Sequence, residues 1–194
     1  MHNNFILRIY SLPQSVFTLN ELSLLFPEIA YPNLRKRMHY FTKVGKLKRL
    51  HQGIYAKSEY NPLELANKLY KPSYISLETV LVKAGVVFQY YERIFAVSYL
   101  TREVKVNDSV IQYRQIKRGV LTNMQGIESS NGYFIATPER AFLDAIYIYK
   151  DYHFDNLGTL NWDNIFNLQT IYKSGILNKR VKQYYKDYQK DYVK

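Results

Sequence analysis

Three prolines and two glycines cut the first sixty residues into short pieces. Pro13, Pro27 and Pro32 each remove a backbone donor and fix φ, while Gly45 and Gly53 stand where the chain has to turn. No helix in this stretch can be long, so a core must come from packing several short elements on one another. Phe5, Ile6, Ile9 and Tyr10 recur at helical spacing before Pro13, which predicts a helix over residues 3–11. Thr18-Leu-Asn-Glu21 is a capping box, in which the hydroxyl accepts from the Glu21 N–H and the carboxylate reaches back to Thr18. Leu19, Leu22, Leu25 and Phe26 give the stripe of a second helix, stopped by Pro27. Tyr31-Pro32-Asn33 opens a third helix, with Leu34, Met38 and Phe41 at i, i+4 and i+7 and Gly45 at its close.

At about 100° per residue, the face opposite that stripe carries Lys36, His39, Tyr40 and Lys43, with Asn33 and Arg37 on its flank. Two β-compatible runs, 47–50 and 54–57, flank His51-Gln52-Gly53, a hairpin signal. Helix, helix, turn, helix, hairpin is the order of a winged helix-turn-helix. In that fold the third helix enters the major groove and the hairpin touches backbone or minor groove.

Charge points the same way. The chain has 27 Lys and Arg against 16 Asp and Glu, a net charge of +11. Residues 61–177 are nearly neutral, with twelve cations and eleven anions, so the excess sits at the ends: nine against three in residues 1–60, six against two in 178–194. From Arg35 to Lys57 there are eight cations and no carboxylate. Solvated faces normally mix signs, because like charges repel, so this run predicts a polyanion partner. Double-stranded DNA is the expected partner, met by Asn33, Arg35, Lys36, Arg37, His39, Tyr40 and Lys43 on the helix and by Lys46, Lys48, Arg49 and His51 on the hairpin. With no cysteine in the chain, His39 and His51 read as phosphate or solvent contacts rather than metal ligands. The 20 tyrosines accompany much Asn, Ile, Lys and Phe, as AT-rich coding produces, and carry little weight as stacking platforms.

Beyond residue 60 the pattern is α+β, with a small, mainly antiparallel sheet. Asn61-Pro62 caps a helix that ends at Lys71-Pro72, and Ser76 is the expected N-cap of a second that ends at Gly85. Strands are expected at Ile94–Tyr99, Val104–Val106, Val110–Ile116 and Gly132–Ala136. Thr137-Pro-Glu-Arg140 starts a helix, with further helices over Trp162–Ile171 and Asn178–Val193. The expected division is a winged helix-turn-helix domain over 1–58 and an α+β domain over 61–194.

The absence of cysteine removes disulfides, thiol catalysis and zinc ribbons, and suits a cytoplasmic protein. The longest apolar run, Ala145–Tyr149, is far short of a membrane span, and no membrane partner is expected. Nucleotide-binding, hydrolase and metalloprotease motifs are lacking, so the reading is a non-enzyme without cofactor or metal. Glu103-Val-Lys105 has the spacing of a nuclease E-x-K half-motif, and the rival reading is a DNA-processing enzyme targeted by a winged helix. Alternating charges on a strand more simply mark its solvent face. A third reading is a protein-interaction module whose basic ends bind RNA or lipid. Arg140 and Asp144, at i,i+4, read as a helix-surface pair, and His153 as an exposed loop residue.

Three strings, in order across about a hundred residues, carry a resemblance: Gly45-Lys-Leu-Lys-Arg-Leu-His-Gln-Gly-Ile-Tyr-Ala56, Pro72-Ser-Tyr-Ile-Ser-Leu-Glu-Thr-Val-Leu81 and Ile135-Ala-Thr-Pro-Glu-Arg-Ala-Phe-Leu-Asp144. Together they resemble the AbiEi antitoxins of type IV toxin–antitoxin systems. The resemblance implies an N-terminal winged helix that represses its own operon at inverted repeats. It also implies a C-terminal antitoxin domain, with a nucleotidyltransferase-like AbiEii toxin as functional partner, opposed without a stable complex.

Overall fold

The computed structural model describes residues 2–192. The N-terminal unit runs α1 (His2–Ser11), β1 (Val16–Thr18), α2 (Leu19–Leu25), α3 (Tyr31–Lys43), β2 (Lys48–His51) and β3 (Ile54–Ala56). The capping box at α2 forms in full: the Glu21 N–H donates to Thr18 Oγ1 at 3.1 Å and the Thr18 N–H to Glu21 Oε2 at 2.9 Å. Leu34, Met38 and Phe41 of α3 are buried against Phe5 and Ile9 of α1 and against Leu22 and Phe26. The β2–β3 hairpin turns at Gly53, whose φ of +72° favours glycine. Beyond the expected hairpin, β1 adds a third antiparallel strand, in the order β1-β3-β2.

The second unit contains α4 (Pro62–Leu69), β4 (Ser73–Ile75), α5 (Glu78–Lys83), β5 (Arg93–Ser98), β6 (Arg102–Val106), β7 (Ser109–Gln115), α6 (Arg118–Leu121), β8 (Ile127–Ser130), β9 (Tyr133–Ala136), α7 (Pro138–Ile148), α8 (Trp162–Leu168), a 3-10 turn (Gln169–Tyr172) and α9 (Gly175–Tyr192). Its strands form one six-stranded sheet, in the order β6-β7-β5-β4-β9-β8. This sheet is larger than expected and is mixed, since β5 pairs with β7 and β4 with β9 in parallel. The extra strands are β4 and β8, while the parallel β5–β7 pair joins two strands that were expected. Residues 73–75 are too short to show alternation and are buried at every position, so they look like a lead-in to the next helix. In the fold they are one of the two middle strands, between β5 and β9.

Two other expectations are corrected. Ser76 does not cap α5; its hydroxyl is buried and donates to Asp144 Oδ2 at 2.8 Å, and Leu77 takes the cap position with a φ of +56°. Arg140 and Asp144 are not on a helix surface. Every residue of α7 from Arg140 to Ile146 is buried, because the helix lies between the sheet, α5, α8 and α9. The last helix begins at Gly175, three residues earlier than expected, and its expected end at Val193 lies outside the described residues. No helix among the described residues is long and apolar enough to cross a membrane.

The small sheet is shared between the two units. Val16, Ile54 and Ala56 belong to the large core, while Phe17 and Tyr55 belong to the smaller one. Successive strand residues point to opposite faces, so β1 and β3, apolar and buried on both faces over Val16–Phe17 and Ile54–Ala56, become a wall between two cores. Glu64 of α4 fastens the wall. It is buried and accepts hydrogen bonds from the Ser15 N–H and hydroxyl, each at 2.8 Å, and from the Val16 N–H at 2.9 Å.

Candidate nucleic-acid interface

The outer face of α3 results from its own amphipathicity: once Leu34, Met38 and Phe41 are buried, Asn33, Arg35, Lys36, His39, Tyr40 and Lys43 are exposed. Arg35, Lys36 and His39 meet Arg49, Gln52 and Gly53 of the hairpin around a cleft of about 760 Å3. Tyr31 and Pro32 at the start of α3 complete its edge, and no carboxylate lines it. The hairpin stands where it does because Leu47 anchors it in the smaller core and the Tyr10 hydroxyl donates to the Lys46 carbonyl at 2.6 Å.

Several expected contacts take other positions. Arg37 is half-buried, with its guanidinium 5.6 Å from the centre of the Phe5 ring. Glu28 lies in the field of Arg37; a hydrogen bond from its own backbone and another from Arg8 hold its carboxyl below the usual value. Arg37 is therefore partly spent on packing, while Glu28 pairs with Arg8. Lys48 lies 5.8 Å from the Tyr60 ring and borders a separate groove that Arg49, Asn107 and Asp108 also line. Lys43, Lys46 and His51 are exposed beyond the cleft lining. Lys57 turns inward and donates to the Leu12 carbonyl at 2.5 Å and the Tyr10 carbonyl at 3.2 Å, closing the end of α1. Burial pushes its pKa down, against the pull of Glu64.

Gln52 was legible only as a turn residue. The chain places it at the cleft because the hairpin tip folds back toward α3, and a polar side chain beside the turn glycine was the one available signal. In the last helix, α9, Lys179, Lys182, Lys186 and Lys190 are exposed. Arg180 is not outward-facing; it donates to the Ile146 and Tyr149 carbonyls and caps the end of α7.

The E-x-K pair lies on the exposed face of β6. Glu103 is exposed and bonded to Arg93 at 3.0 Å, and Lys105 is exposed on the same strand. Among the described residues, no three His, Asp or Glu side chains cluster so as to hold a metal ion. The sequence matches no protein-family model and no curated protein.

Proposed function

We propose that the chain is a DNA-binding transcriptional repressor whose N-terminal unit is a winged helix-turn-helix. The element order, the capped α2, the exposed α3 and the β1-β3-β2 sheet support that reading. The observation that carries it is the acid-free cleft between α3 and the hairpin, where Arg35, Lys36, His39, Arg49 and Gln52 converge. Guanidinium and ammonium groups neutralise phosphates, and Arg, Lys and Gln present donors to base edges. By its resemblance to AbiEi antitoxins, the chain also opposes a nucleotidyltransferase-like toxin encoded beside it, through the second unit and without a stable complex. The test is footprinting on DNA upstream of the chain's own gene, with supercoiled plasmid and magnesium as a parallel arm. Protection of a discrete, inverted-repeat site without strand breaks is the expected result. Nicking that is lost in Glu103→Ala would instead identify a nuclease.

A further inference from the structure

A second cleft, of about 580 Å3, opens where α2, the end of α4, β4 and β9 meet, a size usual for small-molecule sites. It has two unlike ends. Leu121, Met124, Ile127 and Phe134 form an apolar wall, with Met124 53% and Phe134 44% exposed. Asn67, Lys68, Lys71 and Ser73 bring polar groups from one stretch, with Glu21 and Thr122 beside them. Asn67 and Ser73 are only 5% and 8% exposed, yet Asn67 Nδ2 and Ser73 Oγ have no hydrogen-bond partner. The orientation of the amide is fixed, because the Phe134 N–H donates to Asn67 Oδ1 at 2.8 Å. The other end is therefore the NH2 group, which can only donate, and an unpaired buried donor carries the full cost of its desolvation.

Lys68, Lys71 and Glu21 are the charged residues in the lining. Both ammonium groups share one oxygen, Glu21 Oε1, at 2.5 and 2.7 Å, which leaves a formal surplus of one positive charge. The donors beneath and beside the cleft are a covered amide NH2, a covered hydroxyl and a half-exposed ammonium, next to an apolar wall. That set calls for a ligand with an acceptor-only head and an apolar body. A phosphate monoester, with roughly −1.5 to −2 charge, exceeds the single surplus charge, whereas a carboxylate matches it.

We propose that this cleft binds a small aromatic carboxylate, with its ring on the apolar wall and its head on Asn67, Ser73 and Lys71. The ammonium of Lys71, half exposed, leaves Glu21 for the ligand, while Lys68 keeps its partner. The probe is 3-phenylpropanoate, titrated into the full chain by calorimetry and followed by NMR at the Asn67 side-chain NH2. Saturable binding below about 1 mM is expected, with a shift of that NH2 signal. The neutral 3-phenylpropanamide binds about tenfold more weakly, as does the acid to Lys71→Gln, an exposed position that leaves the fold intact. Asn67→Asp keeps the acceptor for Phe134 and replaces the donor with a repelling charge, so it abolishes binding; its thermal melt serves as the folding control. Equal binding of acid and amide, an unmoved Asn67 signal, undiminished affinity in Lys71→Gln or no saturable binding below about 10 mM overturns the site. No DNA enters the titration, so its failure and the failure of the repressor reading are separate results.

Discussion

Glu21 joins the two units with a single carboxylate. It caps α2 through the Thr18 N–H and receives Lys68 and Lys71 from the end of α4. Burial works to raise its pKa, but the three sets of hydrogen bonds win and hold it at about 2, below the ordinary 4.5. A carboxyl with a depressed folded-state pKa stabilises above its unfolded value, and that contribution is lost as pH falls from about 4.5 toward 2. Glu21→Gln should therefore cost about 1–2 kcal/mol at pH 7, allowing for solvent screening of a partly exposed group. Urea denaturation at neutral and acid pH checks this: the gap between variant and parent should close as pH approaches 2. The deeper pair is Arg140 and Asp144, both fully buried. Asp144 accepts from the hydroxyls of Tyr172 at 2.6 Å, Ser76 at 2.8 Å and Tyr74 at 3.2 Å. Arg140 donates to the Val120 and Gln125 carbonyls, while its Nε, 3.5 Å from Asp144, makes an ion pair without hydrogen-bond geometry. Asp144→Ala leaves a buried guanidinium without its counter-charge and takes one acceptor from three buried hydroxyls, and should cost about 3–5 kcal/mol. An Arg140→Met/Asp144→Leu double variant, which strands no charge, should lose less; a larger loss in the double variant would contradict this account.

At the scale of elements, the proposed reading divides DNA binding between α3 and the hairpin. Arg35, Lys36 and His39 border the cleft, whereas Arg37 packs over Phe5. Lys36→Ala should therefore weaken specific DNA binding by about 1–3 kcal/mol if it removes a base contact. Arg37→Ala should act mainly through stability, by removing its packing on α1. Fluorescence anisotropy on operator and scrambled duplexes, beside melting curves, distinguishes these effects; the opposite ranking would reverse the assignment of the face. The hairpin supplies Lys48 and Arg49, and each phosphate contact contributes roughly 0.9 to the slope of log affinity against log salt. A Lys48/Arg49 double alanine should flatten the slope by about 1 to 2, with the smaller value if Lys48 stays with Tyr60. An unchanged slope would remove the hairpin from the interface.

The whole molecule is held together by a sheet with a core on each side. Val16, Ile54 and Ala56 are buried with the second unit, and Glu64 is satisfied by Ser15 and Val16. Removing the N-terminal unit would expose that apolar face and strand the Glu64 carboxylate. The two units should therefore unfold together. Trp162, the only tryptophan, reports on the large core, where Tyr185 and Tyr188 pack 5.0 and 5.2 Å from it. Its fluorescence and the far-UV ellipticity of the whole chain should trace one coincident urea transition. Two separated transitions would mean that the wall does not couple the cores.

The sequence alone determined the N-terminal helices and hairpin, because their signals are local: a capping box within four residues, proline at helix ends, glycine at a turn and an apolar stripe at helical spacing. It also located most of the exposed cations, since a residue opposite a buried stripe has nowhere else to point. Only the tertiary structure decided the order of the six strands, because β4 is too short and too uniformly buried to announce itself. It decided that Arg140 and Asp144 are inside, since i,i+4 spacing is the same on a buried helix as on an exposed one. It decided that Lys57 and Arg180 cap helices and that Arg37 leans on Phe5, although all three carry the charge of their exposed neighbours. Asn67, Ser73 and the wall from Leu121 to Phe134 come together through strand pairings that join segments some sixty residues apart, and no local pattern encodes such a meeting.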